Sequence, residues 1–388
     1  MKSNTIRRCD FCQAELPEEY YTHKNSRRGV HVYTCNDCGL IQSISTAAYT
    51  SRPAASMSCD ADRASIKYTK DLVLKPHLDI LNRHVNLAQI NTLLDVGSNR
   101  GAFLRHVVGV NPSVTITAVE TDPELVENYR SSPQVTIHTR RLEQTDVGDE
   151  RYDFIYCAHT LEHFQSASAM LRKLNTALKP GGLIFYAVPN IFSLTEDSFE
   201  ESFIDTHTFH FCADVLESFI NGQGSEIVAK SPGDAFELTY LIRKPSRPRP
   251  EAEGTITHRE TAENSRAFMR HYAEAIDFNR RRLRDVAAKL MGLAHSSKVV
   301  FWGAGRIFDG LTSVGGFDTG RIEMLVDKYL YRYMDTIDGI PIRPPEALQS
   351  KDRSIPIIVA SREYASEIFA EAHQMGFLNT HPYTGFME

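Results

Sequence analysis

Two patterns of apolar and polar positions alternate along this chain, one with the spacing of a helix and the other with that of a strand. Between residues 67 and 84 leucines recur at helical spacing, and a short apolar run, NTLLDVG, follows at 91–97. Helical stretches and short apolar strands then alternate as far as about residue 243. Strands that alternate with helices predict βαβ units, and therefore an α/β fold with a doubly wound parallel sheet.

The pattern predicts individual elements and boundaries. After the first strand it predicts helix GAFLRHVVGV, strand VTITAVE, helix DPELVENYRSS, strands VTIHT and YDFIYCA, helix SASAMLRKLNTAL, strand GLIFYAVP and the closing strands EIVAKSP and AFELTYLIRK. A proline-rich charged stretch precedes a long helix and a second α/β unit, which opens at KVVFWGAGRIFDGLTS. We therefore predict domains at 1–66, 67–245 and 255–388.

Composition excludes several classes of protein. The 388 residues are 42% hydrophobic and 24% charged, as in an ordinary globular protein. The net charge is −6, whereas a protein with a broad nucleic-acid surface is usually basic. No apolar run approaches the roughly 18 residues of a membrane helix, and MKSNTIRRCD lacks the apolar segment of a secretion signal. We expect a cytoplasmic monomer or weak dimer with a small-molecule substrate and no nucleic-acid or membrane partner.

Four of the seven cysteines form two pairs, Cys9-x-x-Cys12 and Cys35-x-x-Cys38. Two such knuckles can place four thiolates around one tetrahedral ion, and paired C-x-x-C motifs in a reducing compartment indicate Zn²⁺. Four unrelated reduced cysteines are the alternative. Because four thiolates leave no coordination position open, we expect this zinc to be structural.

The turn after the first central strand carries an acid and two glycines, Asp95, Gly97 and Gly101, in LLDVGSNRGAFL. Ligands of doubly wound sheets bind outside the carboxyl ends of the strands, and glycines let them approach the backbone. A dinucleotide site has Gly-x-Gly-x-x-Gly, and an acid here suits an ammonium group better than a phosphate. The turn resembles motif I of Rossmann-like S-adenosylmethionine methyltransferases, whose cofactor carries an α-amino group and a sulfonium.

Two further residues end predicted strands. Glu120 ends the second strand, where an acid can hydrogen-bond both ribose hydroxyls. His159 follows YDFIYCA and is a candidate for contact with the methionine end of S-adenosyl-L-methionine. Alternatives are open: Asp95 or Glu120 could cap the helix that follows it, and His163 could be a satisfied helix histidine.

Nearly the whole chain resembles the sugar C-methyltransferases that put a methyl branch on nucleotide-linked keto-deoxysugars. The matching stretches are CNDCGLIQ, GSNRG, WGAGRIFDGL, MLVDKYLYRYM and IDGIPIRPPEAL. The resemblance implies an N-terminal zinc ribbon, a central Rossmann-like class I methyltransferase domain and a C-terminal Rossmann-like α/β domain. It also implies that Asn99 supplies a side-chain hydrogen bond in the cofactor turn, where Arg100 replaces the usual Asp.

C-methylation needs a base that takes a proton from a carbon beside a ketone, and histidine fits because its pKa is near neutrality. The family motif Tyr-x-Glu-His-x-x-Tyr-Phe matches IDTHTFHF at residues 204–211, with Ile204 and Thr206 in place of Tyr and Glu. C-, O- and N-methylation therefore stay open, as does the alternative of ordinary loop histidines. The resemblance gives the catalytic candidates His207, His210 and Asp205, with His207 as the base, and Phe211 as a substrate contact.

A second glycine turn, Gly303-Ala304-Gly305, lacks the third glycine of a dinucleotide motif, although Asp327 stands where a ribose-binding acid would. The resemblance implies that this domain helps to bind the nucleotide-sugar without redox chemistry. Arg306 is then a candidate phosphate ligand, because guanidinium matches phosphate bidentately, and Tyr329 is a candidate for stacking on a base or sugar.

Two other functional classes fit parts of the sequence. A zinc ribbon followed by a methyltransferase domain also suits an RNA methyltransferase, but the acidic balance and the large C-terminal domain argue against it. A non-catalytic sugar-nucleotide-binding protein is the other alternative. The intact Asp95, Gly97, Gly101 and Glu120 argue against that class.

Overall fold

The structure is a computed structural model. It describes residues 7–17, 21–22, 29–45, 71–123, 125–193, 203, 207–247, 259–295, 297–332, 334–362 and 364–387. The chain divides into two compact units, the first with the described residues up to Tyr272 and the second with those from Ala273 onward. The three predicted domain boundaries stay a prediction.

The strands and helices follow in chain order. The strands are β1 (Tyr21–Thr22), β2 (Val30–Thr34), β3 (Ile41–Ser45), β4 (Thr92–Val96), β5 (Thr115–Val119), β6 (Val135–His138), β7 (Tyr152–Ala158), β8 (Leu178–Pro189), β9 (Phe209–His210), β10 (Glu226–Lys230), β11 (Glu237–Arg243), β12 (Val299–Trp302), β13 (Ile322–Val326), β14 (Thr336–Ile337), β15 (Ile340–Arg343), β16 (Ile357–Val359) and β17 (Thr380–Pro382). The helices are α1 (Asp71–His84), α2 (Ala102–Val110), α3 (Ala167–Ala177), α4 (Ala213–Gly222), α5 (Arg259–Leu293), α6 (Arg306–Asp309) and α7 (Ala365–Gln374).

The central sheet confirms the predicted Rossmann-like α/β class. Within the described residues it has seven strands in the order β10-β11-β8-β7-β4-β5-β6. Strands β6, β5, β4, β7 and β8 pair in parallel, and β11 pairs antiparallel with both of its neighbours, β8 and β10. The chain proceeds from β4 to β5 and β6 on one side and then returns to β7 on the other. The crevice at this change of direction is where such sheets bind ligands.

The N-terminal segment packs against the central sheet through short polar and aromatic contacts. A small antiparallel sheet has the strand order β1-β2-β3-β9, so its last strand comes from the region after β8. Asp10 accepts hydrogen bonds from Ser166 Oγ at 2.6 Å and Ser168 N at 2.7 Å, at the N-terminus of α3. Phe11 stacks on Phe219 of α4, with ring centroids 4.2 Å apart. These contacts fix the cysteine-bearing segment against helices of the larger domain.

One predicted helix is wrong. DPELVENYRSS forms a 3-10 turn, Leu125–Asn128, in place of an α-helix. Tyr129 N donates to Val126 O, three residues back, and the buried Tyr129 hydroxyl lies 2.6 Å from Ser98 Oγ. Because this tertiary contact holds Tyr129 under the glycine turn, the segment cannot continue as a regular helix.

The second unit contains a six-stranded sheet, within the described residues, in the order β14-β15-β13-β12-β16-β17. Strands β15, β13, β12, β16 and β17 are parallel, as the strand-and-helix pattern predicted. Two apolar clusters pack on it, one including Phe301 and Phe308 and the other including Trp302 and Phe377. In the parts of the chain that the structure describes, no helix is long and apolar enough to cross a membrane.

Candidate active site

The glycine turn between β4 and α2 lies at the point where the sheet changes direction. Gly97 at φ 68° and Gly101 at φ 75° take backbone conformations that residues with side chains rarely adopt. A Cβ on Gly97 would lie 2.2 Å from Thr160 Oγ1, and one on Gly101 would lie 2.4 Å from Tyr129 Cδ1. The close packing of the turn therefore requires both glycines.

Asn99 and Glu120 join this turn to the end of β5. The side-chain Oδ1 of Asn99 accepts a 2.7 Å hydrogen bond from Arg100 N. Its backbone N–H donates to Glu120 Oε2 at 2.8 Å, and Asp122 N donates to Glu120 Oε1 at 3.0 Å. The Glu120 carboxylate thus lies beside the turn at the carboxyl edge of the sheet, with both oxygens positioned by backbone donors.

Asp95 is buried at the end of β4, in register with Tyr156 of β7. Burial, followed by the negative charges of Asp95 and Glu237, raises the pKa of Tyr156 well above its usual value. Tyr156 therefore keeps its proton, and its hydroxyl lies 2.6 Å from His77 Nδ1. The ionised carboxylate of Glu237 can only accept, so a neutral His77 carries its ring proton on Nε2, and its Nδ1 accepts from the Tyr156 hydroxyl.

His77, Glu237 and His159 continue the hydrogen-bonded chain. His77 Nε2 donates to Glu237 Oε1 at 2.7 Å, and His159 Nε2 pairs with Glu237 Oε2. Burial alone would raise the pKa of Glu237, but the hydrogen bonds from His159 and His77 outweigh it and lower the pKa to about 2. Glu237 is therefore ionised at neutral pH and holds the ring of His159, whose backbone has a positive φ of 49°.

Sequence reasoning missed His77 and Glu237. His77 is fully buried on the face of α1 that also buries Leu74 and Leu81. A histidine within the apolar period of a helix was the available signal, because a buried polar side chain needs a partner. That partner lies 160 residues further along the chain, so no local pattern connects the two.

A second polar group follows β7 in the 3-10 turn Leu161–His163. The candidate ligand atoms of Glu162, His163 and His207 all lie within 4.8 Å of one another. Glu162 Oε1 is 3.8 Å from His159 Nδ1 and 3.9 Å from His163 Nε2, and the rings of His163 and His207 meet edge to face at 4.7 Å. The predicted base thus lies among other ionisable side chains at the carboxyl edge of the sheet.

His210 and Phe211 lie in the interior and not on an open surface. His210, in β9, is 5% exposed, its Nε2 lies 2.7 Å from Ser43 Oγ, and burial lowers its pKa to about 3. Phe211 is fully buried against Phe11. The catalytic role of His210 and the substrate contact of Phe211 stay predictions that this packing does not favour, and Asp205 lies outside the described residues.

The four predicted zinc ligands, Cys9, Cys12, Cys35 and Cys38, converge. Their sulfur atoms all lie within 4.8 Å of one another, with 3.5 Å between Cys9 and Cys38 and 3.4 Å between Cys12 and Cys35. Bonds of about 2.3 Å to a tetrahedral ion separate thiolate sulfurs by about 3.8 Å. The donor set and its spacing therefore suit one zinc ion.

The glycine turn of the second unit packs against the backbone of Ala360 and is held by the side chain of Asp327. Gly303 has a φ of 105°, and a Cβ there would lie 2.7 Å from Ala360 O. Asp327 accepts from Ala304 N at 3.3 Å and from Tyr329 N at 3.0 Å, so its carboxylate positions the backbone of both turns. Arg306 begins α6, and Tyr329 is 40% exposed. Their assignment to substrate binding stays a prediction.

Comparison with known families identifies the central region. A family model described as "Methyltransferase domain" matches residues 67–229. This range takes in α1, the glycine turn, Glu120 and both histidine groups except Glu237. The central region of the chain is therefore similar to methyltransferase domains.

Similarity to individual proteins is confined to part of each. Ubiquinone biosynthesis O-methyltransferase of Xanthomonas oryzae pv. oryzae is 31% identical over 121 residues, 29% of this chain and 48% of that protein. The tRNA U34 carboxymethyltransferase of Syntrophotalea carbinolica is 28% identical over 125 residues, 31% of this chain and 36% of that protein. The chain thus spans about half or less of the length of these curated relatives.

Solved structures are more distant. The 1,6-didemethyltoxoflavin-N1-methyltransferase of Burkholderia thailandensis, with bound S-adenosylhomocysteine, is 17% identical at a TM-score of 0.38 and covers 58% of this chain and 99% of that one. An S-adenosylmethionine dependent methyltransferase of Mesorhizobium loti is 12% identical at a TM-score of 0.37 and covers 42% of this chain and 96% of that one.

Proposed function

We propose that this protein transfers a methyl group from S-adenosylmethionine to a nucleotide-linked sugar. The observation that carries the methyl-transfer part is the glycine turn with Glu120 beside it, at the switch point of a methyltransferase domain. When bound there, the cofactor supplies an electrophilic methyl group on a sulfonium. The residues of the turn fit it, because an acid at the end of β5 accepts hydroxyl hydrogens and glycines allow close approach.

The chain's own residues have separate parts in this proposal. Glu120 binds the ribose hydroxyls and keeps the turn in place through Asn99 N. Asp95, buried at the end of β4, supplies negative charge on the ammonium side of the site. His159, held by Glu237, faces the methionine end and limits how the cofactor can lie.

The sugar is the finer part of the proposal. It is supported by the order of a four-cysteine segment, a methyltransferase domain and a second parallel α/β unit, which matches the sugar C-methyltransferases that the sequence resembles. In that chemistry His207 would take the proton from a carbon beside a ketone, and the bound cofactor would supply the methyl group from its sulfonium and be left as the thioether. The position of His207 near the end of β7 supports this role.

Methyl transfer to oxygen is the second candidate. It is favoured by the curated relatives named as O-methyltransferases, which match the central region at 31% identity. A histidine base serves a hydroxyl as well as a carbon acid, so the same residues suit both acceptors.

The test incubates the protein with cofactor labelled in its methyl group and a pool of nucleotide-linked sugars, with a parallel incubation on RNA, followed by mass spectrometry. A labelled nucleotide-sugar that Glu120→Ala fails to form supports the proposal. With an acceptor deuterated beside its ketone, loss of one deuterium and a methyl group on carbon supports C-methylation. Retained deuterium with the label on oxygen selects the second candidate, and label in RNA alone rejects both.

We also propose one structural zinc per chain on the four cysteines. Three of the four cysteines are buried and Cys12 is partly buried, and the sulfur spacings of 3.4 and 3.5 Å suit one ion. The ion would hold the N-terminal knuckle that carries Asp10, whose carboxylate caps α3.

A further inference from the structure

Glu162 places a buried carboxyl group beside His159, His163 and His207. The residue is 2% exposed, and in the described parts of the chain its Oε2 has no hydrogen-bond partner. Its Oε1 comes no closer than 3.8 Å to His159 Nδ1 and 3.9 Å to His163 Nε2, beyond hydrogen-bond distance. Burying a carboxylate costs free energy unless it is paired or coordinates a metal. The unpartnered Oε2 of Glu162 therefore indicates that the side chain binds a ligand.

We propose that Glu162, His163 and His207 bind one divalent transition-metal cation. Two imidazoles and a carboxylate are the donor types that zinc, iron and manganese share, and the three candidate atoms already lie within 4.8 Å of one another. Bonds of about 2.1 Å separate neighbouring ligands by roughly 3–3.5 Å. Closing the group around an ion therefore takes movements of roughly 1 Å, which rotation of the part-exposed His163 can supply.

One of the three proposed ligands, His163, lies at the wall of a polar cleft. His163 lines a cleft of about 450 Å³ together with Arg8, Gln42, Arg141 and Thr208. Three protein ligands leave positions for water or a substrate oxygen, whereas the four cysteines form a closed set. The two sites therefore differ in kind, because only the second would keep positions for further ligands.

The neighbouring group of His77, His159 and Glu237 is a weaker candidate for the ion. Both nitrogens of His77 are engaged, by Tyr156 and by Glu237, and Glu237 is compensated by two histidines. The hydrogen bonds within that group already satisfy its members. The group instead orients His159 beside the proposed cation site, because Glu237 holds His159 by Nε2 and thereby turns Nδ1 toward Glu162.

The inference deepens the proposed function, on which its catalytic meaning rests. A cation at this edge would bind a carbonyl or hydroxyl oxygen of the acceptor and stabilise negative charge on it. With His207 as a ligand, a hydroxide held at an open position of the cation would take the proton that the proposed function otherwise gives to His207, and would become water. Cation binding itself is measurable without methyl transfer, so the two can fail separately.

The experiment titrates the full-length protein with Mn²⁺ and follows the free ion by electron paramagnetic resonance, with the cysteine site kept loaded with zinc. Mn²⁺ prefers nitrogen and oxygen donors over thiolates, so it reports the second site. We expect saturable binding of about one Mn²⁺ per chain and at least tenfold weaker binding in Glu162→Gln, since even outer-shell changes cost 10–100-fold. Glu143→Gln, a nearby carboxylate paired with Arg141, is the matched control and should bind Mn²⁺ as the wild type does.

A second variant is less prone to misfold than one that changes the buried Glu162. His163→Asn changes a side chain that is 38% exposed, and it should also weaken Mn²⁺ binding. Calorimetry with S-adenosylhomocysteine checks that each variant is folded. Absence of saturable Mn²⁺ binding, or equal affinity in wild type, Glu162→Gln and His163→Asn, overturns the proposal. Loss of S-adenosylhomocysteine binding by the wild type would instead remove the proposed function and leave the cation result standing.

Discussion

The buried ring of His210 makes the first unit sensitive to acid. His210 is 5% exposed in β9, next to Ser43 and with the ring of Phe203 edge-on at 4.5 Å. Burial lowers its pKa from 6.5 to about 3. In the unfolded chain the same ring takes a proton below pH 6.5. The unfolded state therefore binds more protons between pH 6.5 and about 3, and the free energy of unfolding falls as the pH is lowered through that window.

The size of this effect follows from the two pKa values. Each pKa unit is worth 1.36 kcal/mol, so the difference between 6.5 and about 3 amounts to about 5 kcal/mol when fully expressed. Between pH 7.5 and pH 5 the unfolded state gains about 2 kcal/mol from this residue alone. His210→Gln removes the titrating group. We expect it to cost about 1 kcal/mol at pH 7.5 through the altered bond to Ser43 and to flatten the pH dependence by about 2 kcal/mol.

Denaturant unfolding followed by far-ultraviolet circular dichroism at pH 7.5 and pH 5 measures this difference. Trp302, the single tryptophan, lies in β12 of the second unit, so its fluorescence provides an internal control that should not change. Equal pH dependence in wild type and His210→Gln would refute the reasoning, because His210 would then titrate near 6.5 in the folded protein as well. Cofactor binding at pH 8 should persist in the variant, as expected of a structural histidine.

Three further predictions concern the two sites. Glu120→Ala should weaken S-adenosylhomocysteine binding at least tenfold, as two hydrogen bonds to a charged group are worth about 1.5–3 kcal/mol each; unchanged affinity by calorimetry would remove Glu120 from the site. Protein purified without added zinc should contain about one zinc per chain, and Cys9→Ser should lose it; well-folded protein without zinc would contradict the cysteine assignment. Gly101→Ala should lower the free energy of unfolding by about 1–3 kcal/mol, through strain at φ 75° and the clash with Tyr129; unaltered denaturation midpoints would show that the turn can relax.

Local patterns in the sequence were enough for the framework of the protein. Apolar runs of strand length separated by helical periods determine the parallel sheet, since each period buries one face of its own element. The glycines of the turn and the paired cysteines could also be recognised in the sequence, because a turn conformation and a ligand spacing each depend on only a few consecutive residues. Glu120 could be placed beside the turn because carboxyl ends of adjacent parallel strands meet at one edge.

The side-chain groups at that edge were decided only by the tertiary structure. His77 and Glu237 are 160 residues apart, and their bond depends on how α1 packs over the start of β11. His210 was a catalytic candidate in the sequence. Its burial comes from the pairing of the two-residue strand β9 with β3, which sets it against Ser43, 167 residues earlier in the chain. Whether a histidine is a base, a ligand or a buried hydrogen-bond partner depends on its desolvation and its neighbours, and folding sets both through contacts that no local period encodes.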